Sequence, residues 1–101
     1  MKDFLTNYEI MCILARRVKE YRLAARISQA EMARRSGVGL ATIAHFEQER
    51  QVNITLSSLI SILKVMGLEE RIVELLPELP MPPLALKKIN KLIPKRVRKN
   101  L

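Results

Sequence analysis

The prolines of this chain are confined to its last quarter, and their placement constrains the fold more than any other feature. They are Pro77, Pro80, Pro82, Pro83 and Pro94. Proline lacks a backbone N–H and clashes with the preceding helical turn, so it interrupts helices. We therefore predict a helical domain over residues 1–76 and a tail over residues 77–101 that is first rich in proline and then basic.

The composition favours helices that pack through aliphatic side chains. Hydrophobic residues make up 49% of the 101 residues, but aromatic residues only 4%. A strand-rich core would be richer in aromatic and β-branched side chains. We expect an all-α fold in one small domain.

Capping signals and apolar spacing divide the helical domain into five helices. Asn7 is placed to cap helix 1, and Thr55 is placed to cap helix 4. Ser28, followed three residues later by Glu31, predicts a capping box at the start of helix 2. The five helices are predicted over about residues 7–25, 28–36, 40–49, 55–67 and 68–76.

Positive charge is concentrated in the tail. Seven cations and no acid lie between residues 84 and 101, and they account for most of the net charge of +8. They are Lys87, Lys88, Lys91, Lys95, Arg96, Arg98 and Lys99. Such an excess favours a polyanionic partner, either nucleic acid or an acidic protein surface.

Several function classes find no support in the sequence. Cys12 is the single cysteine, which excludes an intrachain disulfide and a multi-thiolate metal site. One histidine, no glycine-rich phosphate loop and no paired carboxylates on a plausible cleft argue against an enzyme, and we predict no metal and no cofactor. No segment has the length of a membrane helix or the pattern of a secretory signal, so we expect a cytoplasmic protein without a membrane partner.

The segment SQAEMARRSGVGLATIAHFE, residues 28–47, has the spacing of two helices joined by a tight turn. Ala33 is small where the helices cross, and Gly37 can adopt the positive φ that the turn requires. This segment resembles the helix-turn-helix of the Cro/C1 (Xre) family of repressors. The resemblance implies a five-helix Cro/C1 repressor-like DNA-binding domain.

Two residues depart from the family pattern. Arg26 occupies the position where the family commonly has glycine at the end of helix 1. Gly39 occupies the position of a capping Ser, Thr or Asn at the start of helix 3, and this change weakens the cap by a few tenths of a kcal/mol.

The resemblance also assigns DNA contacts by position. The residues that would face the bases are Leu40, Ala41 and His45. The residues that would contact the DNA backbone are Ser28, Gln29, Thr42, Gln48, Arg50 and Asn53. Other roles stay open: Gln29 as an ordinary polar residue, Leu40 folded back over the turn, and His45 on a solvated face. Helix 3 has no lysine or arginine for the common arginine–guanine contact, so specificity would come from methyl contacts, His45, Gln48 and DNA shape.

Two structural roles complete the predicted site. By the same resemblance, Arg22 and Glu47 form a partly buried ion pair that holds helix 3 against helix 1. Helix 5 offers an apolar stripe for a homodimer interface or, alternatively, for closing the monomer core. The stripe consists of Leu68, Ile72, Val73, Leu75 and Leu76.

We expect a sequence-specific regulator that binds double-stranded DNA, a repressor acting as a dimer on a palindromic operator. The tail composition resembles that of HipB-type proteins, which implies a toxin–antitoxin operon and a HipA-like kinase toxin as partner. The tail cations would contact such a partner or DNA, or else form a solvated arm. The alternative function is a protein-interaction adaptor that keeps the fold without specific DNA binding.

Overall fold

A computed structural model describes residues 4–80 of the chain. Within this range the chain forms five helices and no strand, which confirms the predicted all-α class. The helices are α1 (Asn7–Ala24), α2 (Gln29–Ser36), α3 (Leu40–Glu47), α4 (Leu56–Val65) and α5 (Glu69–Val73). None of the helices in this range is long and apolar enough to cross a membrane.

Side-chain caps start three of these helices. Ser28 and Thr55 cap α2 and α4 as predicted, each accepting a hydrogen bond from the N–H three residues later at 3.0 Å. The choice of Asn7 as the cap of α1 was wrong by one residue. Thr6 has the extended backbone of a cap, and its side chain and that of Glu9 form a complete capping box.

The capping box predicted at the start of α2 is only half formed. Ser28 Oγ accepts from the Glu31 N–H, but the Glu31 carboxylate accepts from the Arg34 guanidinium instead of from the backbone. The second half of that prediction was therefore wrong, because both carboxylate oxygens of Glu31 accept from the forked guanidinium of Arg34.

Residues in the left-handed backbone conformation end four of the helices. Gly37 and Gly67 have φ of 78° and 71° after α2 and α4, where the sequence predicts helix ends. Arg26 and Glu49 have φ of 61° and 60° after α1 and α3. A side chain at Arg26 costs about 1–2 kcal/mol relative to an ordinary backbone conformation. The departure from glycine noted at this position therefore strains the backbone.

Helices α3 and α5 end before the residues at which the sequence predicts their ends. The left-handed turn at Glu49 ends α3 at Glu47, and α5 ends at Val73 instead of Leu76. Leu75 and Leu76 are 70% and 85% exposed, so no packing stabilises a further helical turn.

The core lies where the first four helices meet. Its largest fully buried side chains are Phe46, Met32, Ile43 and Ile62. Helix α2 packs against α3 and α4, and α1 packs against α3. Since Ile43 and Phe46 point into this core, the opposite face of α3 is left at the surface.

Candidate nucleic-acid interface

Helix α3 has one buried face and one exposed face. Ile43, Phe46 and Glu47 are buried, and Leu40 is 48% exposed in the first turn. The other exposed residues from the start of α3 to its cap are Ala41, Thr42, His45 and Gln48. The three residues predicted to face the bases therefore share the exposed side of one helix.

A buried ion pair holds the inner face of α3. Arg22 Nε donates to Glu47 Oε2 at 2.7 Å and Arg22 Nη2 donates to Glu47 Oε1 at 2.8 Å. The third guanidinium nitrogen, Nη1, donates to the Ile27 carbonyl oxygen at 2.7 Å. The two side chains are only 6% and 1% exposed, so removing one partner would leave a charge in the core.

Gln29 extends this ion pair into α2. Its Nε2 donates to Glu47 Oε1 at 3.0 Å. Burial alone would raise the pKa of the Glu47 carboxyl, but the hydrogen bonds from Arg22 and Gln29 outweigh it and lower that pKa. The amide of Gln29 carries a second N–H that suits a phosphate oxygen. One side chain thus joins the start of α2 to the buried face of α3.

A cleft of about 350 Å³ lies beside the exposed face of α3, between this helix, the loop after it and the start of α4. It is lined by Ala41, Thr42, His45, Gln51, Asn53, Ile54, Thr55 and Ser58. Two predicted base contacts and two predicted backbone contacts therefore meet in one concave surface. Gln51 and Ser58 also line the cleft and were not predicted from the sequence.

The remaining predicted backbone contacts lie directly after α3 or at the start of α2. Gln48 and Arg50 are exposed directly after α3, and the Arg50 N–H donates to the His45 carbonyl at 3.0 Å. The hydroxyl oxygen of Ser28 accepts in the cap of α2, which leaves its O–H as the group that can donate to a phosphate.

A second arginine pair, missed from the sequence, lies at the end of α3. Arg16 Nε and Nη2 donate to the two carboxylate oxygens of Glu49 at 3.2 and 3.1 Å. The side chains are 56% and 30% exposed. The hydrogen bond from Arg16 lowers the pKa of the Glu49 carboxyl. Because this contact joins residues 33 positions apart, no local spacing in the sequence predicts it.

The predicted dimer stripe is divided in the structure. Leu68 and Ile72 are half-buried and pack against the core. Val73 is 68% exposed, and Leu75 and Leu76 are more exposed still. The seven tail cations named above lie outside the described residues.

The described residues hold no cluster of metal ligands. Cys12 is buried in the core. Within residues 4–80, no three side chains of His, Cys, Asp or Glu come together as a metal ion would require.

Comparison with known proteins places the chain in a family. A helix-turn-helix family model matches residues 18–73, which is more than half of the chain and runs from α1 to α5. Neither a curated protein nor a solved structure gives a match. The chain belongs to the Cro/C1-type helix-turn-helix family of DNA-binding regulators.

Proposed function

We propose that this protein is a sequence-specific transcriptional repressor that binds a pseudo-palindromic operator as a dimer. One observation carries the proposal. The Arg22–Glu47–Gln29 network fixes the inner face of α3, and Leu40, Ala41 and His45 are exposed together on its outer face. A helix held in this way fits the DNA major groove, which is about 12 Å wide.

Base recognition is assigned to Leu40, Ala41 and His45. The half-exposed Leu40 side chain suits the methyl group of thymine, and the small Ala41 lets the helix approach the bases closely. His45 can donate to the acceptor atoms of guanine. Since this face carries no arginine, Gln48 and the shape of the DNA supply the remaining specificity.

Backbone binding is assigned to the residues around the cleft and at the start of α2. These residues are Ser28, Gln29, Thr42, Gln48, Arg50 and Asn53. Arg50 is the single cation among them. Contacts of this kind fix the position of the protein on DNA and carry no sequence information.

A two-fold symmetric dimer would place the two copies of α3 about 34 Å apart, in successive major grooves. The exposed apolar side chains of Val73, Leu75 and Leu76 support an interface at the C-terminal end of α5. Such a dimer requires an operator with two related half-sites.

The test is a gel shift on the DNA upstream of this protein's gene, with the full-length chain, at several salt concentrations. We expect a shift that resists nonspecific competitor DNA and an affinity that falls steeply with salt. Gln29→Ala should weaken binding to all sequences alike, whereas Ser61→Ala, on α4 outside the cleft, should leave it unchanged. The absence of a specific shift would contradict the proposal and favour the adaptor function.

The proposal of a toxin–antitoxin operon depends on the tail composition. A HipA-like kinase partner should copurify with the full chain and be lost on truncation after Pro77. If truncation instead removes part of the salt dependence, at about 0.9 per lost phosphate contact, the tail cations contact DNA. If truncation changes neither the copurification of a partner nor the salt dependence of DNA binding, the tail is a spacer.

A further inference from the structure

An apolar groove of about 460 Å³ lies between α1, α4 and α5. Leu14, Leu63 and Ile72 are among the side chains that line it. Among its described lining residues, the charged ones are Arg17 and Arg71, and both are exposed. The groove is therefore an apolar surface with positive charge at its edge.

The segment that follows α5 has complementary features. Residues 74–79 read ELLPEL, so the segment carries two acids, three leucines and one proline. Leu76 and Leu79 are 85% and 58% exposed, and Glu74 and Glu78 are exposed as well. The segment thus presents apolar side chains and negative charge to the surroundings.

We propose that residues 74–79 of a second copy of this chain occupy the groove. Leu76 and Leu79 then pack against the apolar lining, and Glu74 and Glu78 lie beside the two arginines of the groove. Two-fold symmetry also places residues 74–79 of the first copy in the groove of the second copy. Apolar burial supplies the affinity, and the charges select the partner and its orientation. The inference rests on the dimer of the proposed function and adds its surface and its pairing.

Charge and connectivity favour this occupant over two others. Leu75 already lines the groove of its own chain, while Leu76 and Leu79 of that chain are exposed outside it. The basic segment between Lys87 and Lys99 would be repelled by Arg17 and Arg71. The segment of a second copy offers leucines to the apolar lining and glutamates to the positive charge at the edge of the groove.

Two full-length charge-reversal variants test the pairing by sedimentation equilibrium. The groove variant is Arg17→Glu/Arg71→Glu, and the segment variant is Glu74→Arg/Glu78→Arg. Each alone places like charges at both contacts of a dimer, so we expect its dimer dissociation constant to rise at least about tenfold. An equimolar mixture restores opposite charges at both contacts and should form a heterodimer as tight as the parent dimer.

The controls separate this pairing from general charge effects. Arg26→Glu/Lys64→Glu changes the net charge as the groove variant does, at exposed residues outside the groove, and should dimerise like the parent. Circular dichroism confirms that each variant is folded. Variants that dimerise like the parent, or a mixture that stays monomeric, would overturn the pairing. A monomeric parent would overturn it too, whereas the proposed DNA binding stands or falls with the gel shift alone.

Discussion

Two arginines of α1 bind glutamates at the C-terminal end of α3 in the same forked geometry, but in different surroundings. Arg22 and Glu47 are 6% and 1% exposed, with hydrogen bonds of 2.7 and 2.8 Å. Arg16 and Glu49 are 56% and 30% exposed, with bonds of 3.2 and 3.1 Å. Water can replace a lost partner at the second pair, whereas at the first pair it cannot.

The two pairs also differ in what else they hold. Arg22 donates to the Ile27 carbonyl, and Glu47 accepts from Gln29, so the buried pair joins three helices. The exposed pair fixes one side chain, that of Glu49, whose backbone is left-handed. The buried pair should therefore govern the position of α3, and the exposed pair the turn after it.

The largest expected effect comes from breaking the buried pair. Glu47→Ala should lower the free energy of unfolding by about 3–5 kcal/mol, because it leaves the Arg22 guanidinium uncompensated in the core. Urea denaturation measures this loss, with Glu20→Ala, an exposed residue of α1, as the control. A loss below about 1 kcal/mol, the range of exposed pairs, would contradict the assigned burial.

Acid should weaken both pairs. The pKa of both glutamates is lowered in the folded protein. Their contribution to stability is therefore present above the unfolded-state pKa of about 4.3 and is lost as the pH falls through the lower folded-state pKa. Measured from pH 7 to 3, Glu47→Gln and Glu49→Gln should each remove part of this acid dependence of the free energy of unfolding. A variant that keeps the acid dependence of the parent would show that its glutamate has the same pKa in the folded and unfolded protein.

Glycine substitutions at the two left-handed residues should give smaller changes. Arg26→Gly should raise the free energy of unfolding by about 1 kcal/mol, since glycine adopts positive φ without strain. Glu49→Gly relieves the same strain but loses the pair with Arg16, so its gain should be smaller. Thermal melts of the two variants compare them directly, and an equal gain would mean that the exposed pair contributes nothing.

The smallest effect is expected from the exposed pair itself. Arg16→Ala should leave the urea midpoint close to that of the parent, because both side chains are solvated when separated. A loss as large as that of Glu47→Ala would contradict the difference in burial between the two pairs.

What could be predicted from the sequence depends on whether a feature is determined by neighbouring residues or by residues far apart in the chain. Local signals were sufficient for the caps at Ser28 and Thr55 and for the turns at Gly37 and Gly67, since each depends on neighbours within a few residues. The end of α5 and the Arg16–Glu49 pair depend on which surfaces pack and which distant residues meet. The part of the cleft that is lined by Gln51 and Ser58 likewise depends on which distant residues meet. For these features the sequence carries no periodic signal, and the family resemblance gave no residue to carry across.

The central claim is that the exposed face of α3 reads base pairs, and selection from randomised double-stranded DNA tests it most directly. The full-length parent should enrich two related half-sites whose centres are about 10 base pairs apart. Leu40→Ala and His45→Ala should each change the preferred base at the pair they contact, while Gln29→Ala should keep the parental motif at lower affinity. A parent that enriches no motif, or Leu40 and His45 variants that retain the parental motif, would contradict the assignment of α3 as the reading helix.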